Sequence, residues 1–184
     1  MNGSDVSRIR SGVLLDAVAE AGRMGRFSPG TPKLVAEVLG EMPIFAGLSG
    51  RQRRRIAEQS EVAHVKAGDP IVREGFTGQA AYVLLAGTAC VERAGVPVAD
   101  VGSGAVIGEL SLLCGEPRSA TVRATCDLWV LRIRREAFRR LVAQEPTIAM
   151  HLLETLSRRL WDAEHAPPAE AAATTGPGAP RAPG

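Results

Sequence analysis

At 184 residues the chain is long enough for one well-buried domain with some length to spare. An apolar share of 45% and a charged share of 23% are ordinary for a globular protein, and a formal net charge of +2 gives no reason to expect nucleic acid or an anionic membrane surface as partner. Three cysteines, Cys90, Cys114 and Cys126, form no CxxC pair and leave an odd number, which argues against a disulfide framework and for a reducing compartment. Arg8, Arg10, Asp16 and Glu20 interrupt any apolar core near the start, and no stretch approaches about 20 apolar residues. The expectation is a cytoplasmic protein with no secretory leader and no membrane span.

In chain order, residues 4–24 place Val6, Ile9, Val13, Leu14, Ala17, Val18 and Ala21 at the three-and-four spacing of an amphipathic helix. The string GRFSPGTP then breaks it. A second helix is expected near Thr31, with Pro32 in its first turn, and it stops around Gly40. Residues 1–40 therefore read as an N-terminal helical extension, and 41–165 as the main domain. Within that domain a helix is predicted from about Ser49 to Ser60.

From 61 to 134 short apolar runs, among them Tyr82-Val-Leu-Leu and Leu128-Trp-Val-Leu, alternate with glycine corners. Many short strands at this spacing, with no crossover helix between them, predict an antiparallel β-barrel or jelly roll with flanking helices. Two helices follow, at 135–144 and 147–164, separated by Pro146. The second gathers Ile148, Leu152, Leu153, Leu156, Leu160 and Trp161 on one broad face. Residues 166–184 are mostly Pro, Ala, Gly and Thr, with no large apolar side chain, and are expected to be a disordered tail.

The chemically informative stretch runs from Ile107 to Val122, IGELSLLCGEPRSATV. A short helix starting after Gly108 points the unpaired N–H groups of Leu110 and Ser111 at an anion, and Gly108 lets the backbone approach closely. Glu109, at the same helix start, can accept from a sugar hydroxyl. Arg118, nine residues later, can pair its guanidinium with phosphate oxygens, with the Ser119 hydroxyl beside it. Such a set suits a cyclic nucleotide, which presents a compact phosphodiester monoanion, a free 2′-hydroxyl and a flat apolar base.

The same stretch closely resembles the phosphate-binding cassette of cyclic-nucleotide-binding domains, G-E-[LI]-x-L followed by P-R-x-A-T-V. Gly108, Glu109, Leu110 and Leu112 match its first half, and Pro117, Arg118, Ala120, Thr121 and Val122 its second. Upstream, Gly68, Ile71, Glu74-Gly75, Gly78, Tyr82 and Gly87 follow the family's turns and strands, so the likeness covers roughly 42–162. It is nearest to catabolite-activator-type regulators and to the regulatory subunits of cyclic-AMP-dependent protein kinase. The resemblance implies a double-stranded β-helix fold and a regulatory module that is not an enzyme. It places Glu109 on the ribose 2′-hydroxyl and Arg118 on the equatorial phosphate oxygen. Gly108, Leu110, Ser111, Pro117, Ser119 and Ala120 complete the site, and Trp161 stands where relatives place a cover for the base. Ordinary core packing is the alternative for Trp161.

The position after the cassette arginine is often Ala in cyclic-AMP sensors and Thr in cyclic-GMP sensors. Ser119 therefore favours cyclic AMP while leaving cyclic GMP open. Two departures bear on output. No helix-turn-helix follows the last helix, so DNA is not expected as a partner, and no kinase-inhibitor segment is visible in residues 1–40. The expected partner is an effector protein bound in trans, with a homodimer through 4–24 or 147–164 as a further possibility. A degenerate, ligand-free interaction scaffold is the main alternative, with Glu109 and Arg118 merely paired. A cupin-like metal enzyme is a remote one, since His64, His151 and His165 are scattered. No cofactor or metal is expected. The arginine runs at 51–55 and 132–140 offer a basic surface for an acidic partner, although charge runs on helices are ordinarily just solvated.

Overall fold

In a computed structural model that describes residues 31–165, the apolar runs form eight strands in two four-stranded antiparallel sheets flanked by helices. The amphipathic segment 4–24 and the tail 166–184 lie outside the described residues. Helix α1 spans Thr31–Gly40 and leads through a 3₁₀ turn, Pro43–Phe45, to α2, Gly50–Glu58. Ser49 caps α2 with a capping box: its hydroxyl accepts from the backbone N–H of Gln52, whose side chain reaches back to the Ser49 N–H.

The strands are β1 Ser60–Val65, β2 Pro70–Val72, β3 Ala80–Ala86, β4 Thr88–Arg93, β5 Val96–Gly102, β6 Val106–Ile107, β7 Thr121–Ala124 and β8 Leu128–Arg134. One sheet has the order β1-β8-β3-β6 and the other β2-β7-β4-β5. Helix α3, Glu109–Cys114, interrupts the strands, and α4, Arg135–Gln144, and α5, Pro146–His165, follow them. The jelly-roll expectation holds. Between β4 and β5, Ala94 (φ 49°) and Gly95 (φ 79°) both take left-handed backbone, as a two-residue hairpin matched to strand twist requires.

Strand β3 reads as a nearly continuous apolar run because its sheet is covered on both faces. Leu84 points into a core between the sheets, with Ile107, Val122, Leu128 and Val130. Val83 and Leu85 point the other way, into a core with Val35, Leu39, Phe45, Leu131, Phe138 and Ile148. Successive strand residues face opposite sides, so one run of sequence serves two cores. Residues 31–40 thereby share the core of the domain they precede. Strand β5, at an edge, is largely exposed.

The chain divides into two units, one ending at Leu152 and one beginning at Leu153. The broad apolar face expected on the last helix is only partly buried: Ile148 and Leu152 are buried, whereas Leu153 and Leu160 are exposed. Among the described residues no helix is long and apolar enough to cross a membrane.

Candidate functional site

Helix α3 begins at a residue only glycine fits well. Gly108 has φ 78° and ψ 13°, in the left-handed region, and a β-carbon there would collide with the Arg118 guanidinium. The six-residue helix turns Glu109, Ser111 and Leu112 inward, and Leu112 enters the core shared with the helices. Leu110 and Leu113 face outward and are partly exposed. Gly115, also left-handed at φ 82°, ends the helix and lets the chain return through Pro117 to Arg118.

Backbone bonds fix Arg118 in place. Its N–H donates to the Phe76 carbonyl at 2.9 Å, and its own carbonyl accepts from the Gly75 N–H at 2.9 Å. The side chain then runs inward and is only 7% exposed. Nη1 donates to the Gly108 carbonyl and to Ser111 Oγ (2.8 Å), and Nη2 donates to the Ala80 carbonyl at 2.5 Å. Gly78 closes the slot, since a β-carbon there would strike Ser111 Oγ and the guanidinium. Burial pulls the Arg118 pKa down, while Tyr82 and Glu109 push it back up. An arginine stays cationic under either influence.

Glu109, 3% exposed, is thus close enough for its charge to favour that cation. The structure therefore brings Gly108, Glu109, Ser111 and Arg118 together around one slot, part of which the guanidinium itself fills. Ala120 is buried nearby in sequence, while Pro117 and Ser119 are exposed. Trp161 is 63% exposed and stacks on His165 with ring centroids 3.9 Å apart. Among the described residues Trp161 is therefore not a core side chain. Trp129 does pack against the core, and its ring tilts against His64 across the β1–β8 ladder.

The sequence reading missed three contributors. Ala80 supplies the carbonyl that holds Nη2, and Gly78 supplies the space. Arg135, the first residue of α4, donates through Nη2 to the Gly78 carbonyl and through its backbone N–H to the Gln79 carbonyl at 2.9 Å. Its charge lowers the Arg118 pKa, so the two cations are neighbours, and its Nε is buried without a partner. Only the glycine was visible as a signal, in the family-like turn at 75–78. Among the described residues no three of His, Cys, Asp and Glu converge as a metal site would need.

Arg118 is thus a buried cation, with the buried acid Glu109 near enough for its charge to act on it and a second cation, Arg135, as neighbour. The comparisons with known proteins concern the chain rather than these side chains. The cyclic nucleotide-binding domain family matches residues 62–145. The chain is 37% identical over 106 residues to a cAMP-dependent protein kinase regulatory subunit of Emericella nidulans, covering 56% of this chain and 26% of that protein. The chain spans about a quarter of the length of that relative and of two similar regulatory subunits from Aspergillus. The regulatory domain of Toxoplasma gondii PKA, solved with cAMP, superposes with a TM-score of 0.62 at 26% identity, covering 69% of this chain and 50% of that one. A cyclic nucleotide-binding-like protein from Brucella abortus is 30% identical with a TM-score of 0.50, covering 59% of this chain and 97% of that one. With its cassette seated on such a barrel, the chain belongs to the cyclic nucleotide-binding domain family.

Proposed function

We propose that the chain is a cyclic-nucleotide sensor, with cyclic AMP as its ligand in preference to cyclic GMP, and that it regulates a partner protein in trans in the cytoplasm without catalysing a reaction. One observation carries the reading. Arg118 is 7% exposed and Glu109 3%, and Arg135, partly buried, adds a second positive charge beside Arg118. A phosphodiester monoanion is a partner of the sign that a buried cation requires. Arginine has five N–H donors, of which three are used by Gly108, Ser111 and Ala80. Two remain for phosphate oxygens. The naming of the Emericella relative for cAMP supports the choice of nucleotide.

Within this proposal Glu109 accepts from the ribose 2′-hydroxyl, and Gly108, Leu110, Ser111, Pro117, Ser119 and Ala120 shape the phosphate seat. Trp161 covers the base. Replacing Trp161 with Ala leaves the unfolding midpoint in place, because the side chain is 63% exposed. Loss of a stacked base weakens cyclic AMP binding by about tenfold, within the roughly 1–3 kcal/mol of such contacts.

A second reading, the ligand-free scaffold, is favoured by one fact: the guanidinium is already held by the protein's own Gly108 and Ala80 carbonyls. Thermal unfolding separates the two. Cyclic AMP at about 100 times its dissociation constant raises the melting temperature by about 5–10 °C if the slot binds it. No shift with millimolar cyclic AMP or cyclic GMP assigns the chain to the scaffold class.

A further inference from the structure

The arginines away from the nucleotide slot are not equivalent. Arg132 and Arg134 both pair with Glu61, at 2.9 and 2.5 Å, and Arg123 pairs with Glu92 at 3.0 Å. Helix α2, GRQRRRIAE, differs. Arg51, Arg54 and Arg55 are exposed, and among the described residues none of them makes an ion pair or a side-chain hydrogen bond. The Nε of Arg53 is buried with no partner.

These four arginines and Lys33 of α1 line a groove of about 790 Å³ between α1 and α2, where the acidic lining residues are Glu37 and Glu58. Five cations thus face two carboxylates. Neither the start of α2 nor its apolar contacts involve Arg51, Arg54 or Arg55. The capping box at Ser49 starts the helix, and Ile56 and Ala57 bury its apolar side. Arg51 stands three and four residues from Arg54 and Arg55, spacings at which like charges repel and destabilise a helix. An anion seated in the groove relieves that repulsion.

The groove's own chemistry selects among anions. A nine-residue helix is about 13 Å long, which an extended peptide spans with about four residues. The guanidinium fork matches a carboxylate through two parallel bonds. Glu37 and Glu58 in the walls repel an unbroken line of phosphates but leave room for spaced carboxylates. A bilayer needs apolar side chains beside the cations, and among the described residues the exposed large hydrophobics, such as Phe76, Val96 and Trp161, lie on other elements. We propose that the α1–α2 groove docks an acidic segment of a partner protein, about four residues of it in contact and rich in Asp or Glu. This docking does not depend on nucleotide binding.

Fluorescence anisotropy of the full chain with a labelled octapeptide of alternating Glu and Gly tests it. The expected result is saturable binding that weakens as salt rises, with the matching Gln peptide inert. Arg54→Gln combined with Arg55→Gln lowers the affinity by about tenfold. Arg139→Gln, exposed on α4 and outside the groove, leaves it unchanged, and both variants keep the wild-type unfolding curve. Failure of the Glu peptide to bind, equal binding of the Gln peptide, or an equal loss with Arg139→Gln overturns the proposal. So does displacement of the peptide by a short DNA duplex or by anionic vesicles at lower concentration than by unlabelled peptide.

Discussion

Arg118 sits at the centre of the site because two glycines make room for it and three oxygens hold it. This arrangement makes its neighbours sensitive in different ways. Gly108→Ala forces a β-carbon into the guanidinium and a non-glycine residue into left-handed backbone, which alone costs about 1–2 kcal/mol. Chemical denaturation should show that loss together with abolished nucleotide binding. Ser111→Ala is milder, because it removes the 2.8 Å bond from Arg118 and a long 3.3 Å bond to the Gly108 carbonyl but leaves the two carbonyls on the guanidinium. Stability falls by about 1 kcal/mol, and cyclic AMP still binds.

Glu109 and Arg118 were legible because nine residues of local sequence carry both the helix start and the return to it. Ala80 and Arg135 were not. Their bonds join positions 38 and 57 residues apart, and these meet only once β3 and β8 have paired. A linear reading has no access to that register. Trp161 shows the converse limit. Helical periodicity says which residues share a face, but it does not say what covers the face, and the indole is exposed.

At the level of elements, β8 is the strand on which most depends. It pairs with β1 on one side and β3 on the other, and its residues alternate between the two cores. Leu131 is fully buried among the helices and β3, so Leu131→Ala should cost about 2–5 kcal/mol, read as a drop in the denaturant midpoint. The β1–β8 pairing also carries a pH-dependent contribution. Hydrogen bonds from Arg134, and then from Arg132, hold the Glu61 carboxyl below the usual glutamate range. A depressed carboxylate stabilises the fold above its unfolded value, and that contribution is lost as pH falls through the folded value. Both ion pairs are well exposed, so the effect is below about 1 kcal/mol. Glu61→Gln should therefore flatten the acid limb of the stability curve slightly and leave neutral stability nearly unchanged.

Continuous apolar runs such as Tyr82-Val-Leu-Leu were readable as strands, though not as strands buried on both faces. The covering helices come from distant parts of the chain, and Val35, Leu39 and Phe138 supply that cover. Arg135 connects this scale to the site. It is the first residue of α4, yet it bonds to the carbonyl of Gly78, the glycine that leaves room for Arg118 and Ser111. The helix that follows the barrel is thus tied directly to the segment that positions the cassette arginine.

For the whole molecule, a ligand can shift an equilibrium only by its differential affinity for the two arrangements. A sensor must therefore bind its nucleotide through groups whose contacts change on binding. Under the proposed function Arg118 qualifies, since a phosphate on its two remaining N–H donors shares a guanidinium already held by the Gly108 and Ala80 carbonyls. Titration calorimetry of cyclic AMP into the wild-type chain and into Arg118→Ala is the most direct test. The expected result is one equivalent bound by the wild type and an affinity lower by about 100-fold or more in the variant, the cost of removing a buried charged partner. Equal affinity in the two proteins, with matching unfolding curves, would contradict the assignment of the slot as the phosphate seat.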